Sequence, residues 1–388
     1  MSLRKKFIIG CLLVGVFIPL TTLSSLLKSQ DVLTQTVARD LTLVTRETMD
    51  RIERAVWIRL GQIELNANAL AENPALLSSN AQFANMDDYR PYLEKSDKQW
   101  QAQDANDPDS MVNRMLDHAL CDRLITHIMQ TFFYTQRFGY DIFKQVTVTN
   151  RFGAVIGQTS HNKRYDLRQE AWWKHAKEKG SYVGSINRQT GTMDVAAPIL
   201  DVAHNFMGVI QCSLNAQEYN DILKRQAENT SYSTTGFTLL SRDKSVLHAT
   251  SDRHLACVGV AMTAHGKKSS PKREDLWFLV KNPTDRSKPK AMITRAYSRG
   301  HGAYKGQQWS LCMSVDASEA LYPVSALRMA LMIPFSVLCL STIAAALMFR
   351  TSVLRPIEKL SQTADAIRNG DLKAKANIKS HDEIGHLA

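Results

Sequence analysis

Two stretches of the chain are apolar and free of charge, Phe7 to Leu27 and Met329 to Phe349. About 20 apolar residues cross the hydrocarbon core of a bilayer, so each stretch predicts a transmembrane helix. Arg4, Lys5 and Lys6 precede the first; Arg350, Arg355 and Lys359 follow the second. Basic flanks stay in the cytoplasm. The predicted topology is therefore a cytoplasmic N-terminus over 1–6, a span over 7–27, an extracytoplasmic region over 28–328, a span over 329–349 and a cytoplasmic segment over 350–388. The first stretch also fits a cleaved signal peptide, but it is long for one and no A-x-A site follows. Arg328, at the edge of the second, can snorkel to the interface.

Between the spans the pattern changes twice. Leu33, Val37, Leu41, Val44, Met49, Ile52, Val56, Leu60 and Ile63 recur at three- and four-residue spacing, with Arg46, Glu47, Asp50, Arg51, Glu53 and Arg54 on the other faces. This predicts a long helix over 31–77. Residues 86–139 read as further helix and loop. Alternation then takes over. Phe143, Val146 and Val148 lead through Asn150-Arg151-Phe152-Gly153 to Ala154, Val155 and Ile156, a hairpin. Ser181 to Val183, Met193 to Ile199 and Phe206 to Leu214 predict three more strands. A shorter copy follows: Gly236 to Leu240, Val246 to Ala249, Trp277 to Lys281, Ala291 to Tyr297 and Trp309 to Val315. The expected fold is α+β, with a long helix and two antiparallel-sheet lobes, a distal one over about 83–225 and a proximal one over about 230–320.

The segment after the second span has its own signature. Ile357, Leu360, Ala364 and Ile367 follow the 3-4-3 spacing of a coiled-coil seam. Pro356 suits a helix start, and Asn369-Gly370-Asp371 a helix end. Leu372 and Ile378 anchor a connector, and Asp382-Glu383-Ile384-Gly385 opens a second helix. Proline in the first helix, Gly370-Asp371-Leu372 and the Asp382–Gly385 run together resemble a HAMP domain. The resemblance implies a parallel four-helix bundle made by two subunits, hence a homodimer. The 350–388 segment would then be an incomplete HAMP domain and the chain a fragment of a longer receptor.

The intervening region resembles the double Cache sensors of bacterial receptors, whose lobes are PAS-like. The stretches that carry this are Tyr92 to Ala102, Val146 to Thr159, Tyr165 to Ala176, Ser181 to Ile186 and Asp194 to Asp201. The resemblance spans about 31–320. It implies a ligand pocket in the distal lobe, walled here by Tyr165, Arg168, Trp172, Trp173, Tyr182, Asp194 and Asp201. Aromatic faces bury apolar or cationic groups. A carboxylate such as Asp194 can pair an ammonium, and a guanidinium such as Arg168 can take a carboxylate in two hydrogen bonds. Each also has a plainer reading: Trp172 and Trp173 as core, Asp201 as a turn cap. The amino-acid-binding branch carries arginine where this chain has Glu170 and tyrosine where it has Trp173. Amine, amino-acid and other metabolite ligands therefore stay open.

Composition narrows the rest. The chain has 388 residues, is 44% hydrophobic and 22% charged, and carries a formal charge of +11. No zinc-finger, basic-zipper or ribonucleoprotein motif accompanies that charge, so nucleic acid is not an expected partner. Six cysteines are present, none at C-x-x-C spacing; a Cys257–Cys312 bridge is one option for an oxidising compartment. No nucleophile elbow, zincin motif or Walker loop occurs, so no catalytic site and no cofactor are expected. The expected partners are a small-molecule ligand, the membrane, a second copy of the chain and a cytoplasmic signalling protein. The expected location is a bacterial plasma (inner) membrane. The output is expected to be a histidine kinase, with a chemotaxis transducer, a diguanylate cyclase or a phosphatase as alternatives.

Overall fold

The computed structural model describes residues 3–102, 110–116, 118–161, 163–253, 255–264, 276–280, 291–371, 373–376 and 378. It divides into two compact units: 38–319, and a second made of 1–37 together with 320–388.

Helix α1, Leu3–Leu70, begins just before the first apolar stretch, runs through it and continues into the 38–319 unit. There its periodic positions are buried: Met49, Ile52, Val56 and Ile63 are fully covered. The helix ends at Leu70, short of residue 77, because Asn73 starts another. The Asn73 side chain accepts from the Ala75 amide, and Pro74 opens α2, Pro74–Ala84. Pro at a first helical position loses nothing, since that amide has no helical acceptor.

The distal lobe then adds α3 (Arg90–Ala102), α4 (Met111–Leu116), α5 (Ala119–Arg123), a π-turn over Leu124–Met129 and α6 (Thr131–Phe138). Its sheet is built from β1 (Phe143–Asn150), β2 (Val155–Gln158), β3 (Tyr182–Asn187), β4 (Thr192–Leu200) and β5 (Phe206–Asn215). The order is β2-β1-β5-β4-β3, with α7 (Ala171–Lys179) between β2 and β3 in the chain. Helix α8, Gln217–Glu228, leads to the proximal lobe.

The proximal sheet contains β6 (Gly236–Leu240), β7 (Val246–Ala249), β8 (Leu276–Val280), β9 (Ala291–Tyr297) and β10 (Ser310–Asp316), with α9 (Leu255–Ala264) between β7 and β8. The order is β7-β6-β10-β9-β8, the same permutation as in the distal lobe. All pairs in both sheets are antiparallel. The strands expected from alternation all form. Helices α8 and α9 were not expected. The Cys257 and Cys312 thiols lie in one buried cluster and are both free, so the bridge considered above is not formed. Burial pushes the Cys312 thiol up to about 12.

Helix α1 is the spine shared by both lobes. Arg59 pairs with Glu218 of α8, Thr45 shares a 2.5 Å hydrogen bond with Thr294 of β9, and Arg46 donates to the Tyr297 carbonyl.

Helix α10 (Ala317–Ala320) closes the 38–319 unit, and the other unit continues with α11 (Tyr322–Phe349), a π-turn over Arg350–Leu354 and α12 (Arg355–Arg368). The Tyr322–Arg368 run is long and apolar enough to cross a membrane, with a mean hydropathy of 2.2 in its most apolar window. A cavity of about 550 Å³ is lined from two sides, by Thr21, Ser25 and Ser29 of α1 and by Leu331, Pro334, Phe335 and Leu338 of α11. Pro356 lies in the first turn of α12, as expected. Gly370, at φ +100°, ends it: only a residue without Cβ turns left-handed there at no steric cost. Asp382, Glu383, Ile384 and Gly385 lie outside the described residues.

Candidate ligand site in the distal lobe

Alternation gives the distal sheet two faces of different chemistry. Cross-strand register puts Val148, Ile210 and Ala197 in one row, and Val146, Cys212 and Val195 in the next. All six are fully buried and apolar. The rows between them place Thr147, Gln211, Ala196 and Tyr182 in line, then Ser213 and Asp194. This second face lies under α7 and is polar in its centre. Thr147 and Thr149 are fully buried and Gln211 is 6% exposed. Burying polar groups without a partner costs about 1–3 kcal/mol each. The buried Thr147 Oγ1 has no hydrogen-bond partner in the structure.

Asp194 is the ionisable carboxylate that the strands place on this face. It accepts from Ser213 Oγ at 2.6 Å and from Gln211 Nε2 at 2.9 Å, both through Oδ1. Tyr182 stands beside it, half-buried. Burial, and secondly the Asp194 charge, raise its phenol above the usual range. The ring meets His175 of α7 edge-on at 5.4 Å. Gly184 lies next to the Tyr182 ring; a Cβ there would come within 3.3 Å of its hydroxyl.

The roof is aromatic. Trp172 and Trp173 are both buried, at 8% and 5% exposure. The Trp173 indole donates to Thr149 Oγ1 at 3.0 Å and its ring meets Phe206 edge-on. Lys177 lies 5.0 Å over the same ring. Tyr165 is buried against Trp100 at 5.5 Å, with its backbone amide held by Asp97.

Two of the expected residues are engaged elsewhere. Arg168 is locked on Asp166: its Nη2 reaches Oδ2 at 2.7 Å and its Nε reaches Oδ1 at 2.9 Å. Its guanidinium also lies 5.8 Å over the Tyr89 ring. A guanidinium in a bidentate pair has fewer donors left for a ligand carboxylate. Asp201 closes its own turn, taking the amides of Ala203 and Asn205 and the Asn205 side chain. Those bonds, the Asn205 side chain first, lower its carboxyl below the ordinary range. Sequence reading brought forward Asp194, Tyr182 and the tryptophans, which the fold gathers on one face. It passed over Thr147, Thr149, Gln211 and Ser213, although four polar residues in phase with the covered side of apolar strands were a readable signal.

The Asp166–Arg168 pair makes a pH prediction. Burial alone would raise the Asp166 carboxyl, and the Arg168 hydrogen bonds and charge outweigh it, so it sits below the ordinary range. A lowered native value stabilises at pH above the unfolded value of about 3.9 and is lost as pH falls through the native one. Asp166→Asn should therefore destabilise the protein at neutral pH by about 1–2 kcal/mol and converge with the parent as pH falls through the lowered native value. Unfolding midpoints from pH 7 to 2.5 check this; a gap that stays constant into acid contradicts it.

Comparison with known proteins adds the following. Residues 348–388 match the HAMP domain. No curated protein matches the chain. Solved structures similar to it include the ligand-binding domain of the Campylobacter jejuni chemoreceptor Tlp3 in complex with L-valine, at TM-score 0.45 and 11% identity over 75% of this chain and 97% of that one. The ligand-binding domain of the Pseudomonas fluorescens chemoreceptor CtaA in complex with L-leucine has TM-score 0.43 and 15% identity, over 75% and 99%. The sensor domain of the V. cholerae histidine kinase DctB has TM-score 0.35 and 10% identity, over 72% and 98%.

Proposed function

We propose that this chain is the sensory half of a two-pass receptor of the bacterial plasma membrane. Residues 7–27 and 329–349 span the bilayer. Region 28–328 lies outside the cytoplasm as two Cache-type lobes, distal over about 83–225 and proximal over about 230–320. The distal lobe binds a small molecule, and a HAMP segment over 350–388 carries the response inward.

The chain order of three elements carries this reading. The last sensor strand, β10, ends at Asp316, an apolar helix follows, and that helix runs into the segment that matches HAMP. A ligand acts on such a device only through its different affinity for two states, and small helix shifts at packed interfaces transmit the difference. Ile357 and Ile367 of the α12 seam are 39% and 44% exposed. An exposed apolar seam suits a parallel bundle with a second copy through Ile357, Leu360, Ala364 and Ile367. The output is a histidine kinase, with a chemotaxis transducer, a diguanylate cyclase or a phosphatase as the alternatives.

The ligand carries a protonated amine. Asp194 offers it a carboxylate, Tyr182, Trp172 and Trp173 enclose it, and Tyr165 backs the roof; Arg168 and Asp201 border the site. The test is a panel of primary amines and amino acids titrated into the full chain in detergent micelles. At least one should raise the unfolding midpoint saturably, and Asp194→Ala should weaken it by tenfold or more, roughly the effect of losing one charge-assisted pair. A folded protein that responds to none removes the reading. Separately, a reporter active only in the cytosol, inserted in the β3–β4 turn at Gln189, should stay silent in cells.

A further inference from the structure

The lobes meet at a cleft apart from the distal site. A cavity of about 400 Å³ lies between the β3–β4 turn and the start of α8 on one side and β7 of the proximal lobe on the other. Ligand pockets commonly hold roughly 300–1,000 Å³. The distal wall is braced before anything enters. The Asn187 side-chain oxygen accepts the Gln189 and Thr190 amides and shapes the turn. The Gly191 carbonyl then accepts the Ala216 amide at 2.9 Å, which fixes the turn to the start of α8. The proximal wall is set by its sheet, where Val246 pairs with Leu240.

The lining has two kinds of surface. Ile186, Val246 and Leu247 are apolar and only half-buried. Arg188, Asn187 and Asn220 are polar. Among the described residues the Arg188 guanidinium has no ion pair and no hydrogen-bond partner, and neither has the Asn220 side chain. Asn187, whose oxygen is committed to the turn, keeps its amide hydrogens to give. Among the described residues no carboxylate lines the cavity. Those nearby in the chain are engaged: Glu218 pairs with Arg59, Asp221 accepts from Gln217 Nε2, and Asp243 takes the Ser241 and Ser245 hydroxyls. One guanidinium and two amides thus offer donors with no matching acceptor. They stand beside hydrocarbon whose removal from water is worth about 25 cal/mol per Å².

We propose that this cleft is a second ligand site, which takes a small aliphatic monocarboxylate. Arg188 receives both carboxylate oxygens in its fork. The Asn187 and Asn220 amides donate to the same oxygens from the distal wall. Ile186, Val246 and Leu247 cover the hydrocarbon tail. One cation and two neutral amides match a single negative charge. A phosphate would bring more oxygens than these donors can meet, against an apolar wall. Because each lobe supplies one wall, occupancy favours the lobe spacing in which both touch the bound molecule. Strand β3 also carries Tyr182, so such a shift reaches the distal site, and the two ligands then alter each other's affinity by one common factor. The proposal does not depend on what the distal lobe binds.

The test uses the full chain in detergent micelles, titrated by calorimetry with isovalerate, with acetate and with isoamyl alcohol. Saturable binding of isovalerate is expected. Acetate, which lacks the branched tail, should bind at least about tenfold more weakly. The alcohol, which lacks the charge, should not bind. Arg188→Ala removes an exposed side chain and should weaken isovalerate binding by about tenfold or more. Leu247→Trp keeps every donor, fills the cleft and should abolish binding. Lys144→Ala, an exposed cation on β1, should leave it unchanged. If isovalerate does not bind up to about 10 mM, if the alcohol binds as tightly as the acid, or if Arg188→Ala binds as tightly as the parent, the proposal is overturned.

Discussion

Replacing Arg59 by alanine is expected to destabilise the two-lobed unit by about 3–5 kcal/mol. Arg59 sits on α1 with its side chain 8% exposed, and its partner Glu218 on α8 is 14% exposed. The pair is bidentate, with Nη2 to Oε1 at 2.6 Å and Nε to Oε2 at 3.0 Å. A third donor, Nη1, reaches Gln62, and the guanidinium lies 5.5 Å over the Tyr134 ring. Alanine would leave the Glu218 carboxylate nearly buried without its counter-charge, and that stranded charge dominates the loss. Removing both charges together strands nothing, so Arg59→Met/Glu218→Leu should be much milder than Arg59→Ala alone. Unfolding midpoints of the three proteins decide it. A single variant within about 1 kcal/mol of the parent would mean that the pair is solvated in effect and does not tie α1 to α8.

Replacing Glu53 by leucine is expected to cost about 2–4 kcal/mol through a different mechanism. Glu53 is fully buried on α1. Its charge is held by donors of the β9–β10 loop: Ser298 Oγ at 2.5 Å, the Gly300 amide at 2.7 Å and the Arg299 amide at 3.3 Å. Gly300 has φ +85°, and a Cβ there would collide with the Tyr304 carbonyl. The loop can present its amides to Glu53 only because that position is glycine. Leucine fits the volume and strands the donors. The expected result is a lower midpoint together with faster amide exchange across 298–309, since this loop would lose its anchor on α1. The same loop carries Gln307, so its contact with Val183 of the distal lobe should loosen with it. Unchanged exchange in 298–309 would contradict this account.

Much of the architecture was legible because two periodicities dominate the chain. Three- and four-residue spacing marked α1, and period-two alternation marked the strands of both sheets to within one or a few residues at each end. The uncharged stretches and the α12 seam were equally plain, since they are local patterns of composition. The helices α8 and α9 were missed for opposite reasons. Gln217–Glu228 is mostly polar, with only Tyr219 and Leu223 buried, and Leu255–Ala264 is so uniformly apolar that it shows no face.

The candidate site divides along the same line. Asp194 stood out in the sequence as a carboxylate in an apolar strand, which is costly unless something pairs with it. Arg168 looked as able to hold a ligand carboxylate as any arginine; only the fold shows Asp166 in its fork. Asp201 and Asp194 are seven residues apart and chemically alike, yet one closes a turn and the other faces the covered side of a sheet.

The sequence alone determined which segments are apolar enough to cross a bilayer and, α8 and α9 aside, where the main helices and the strands lie, because these depend on neighbours within a few positions along the chain. The tertiary structure decided which polar side chains meet. Thr147, Gln211 and Tyr182 become one row through strand register between residues tens of positions apart. Register is set by the packing of whole faces, and no local pattern records it.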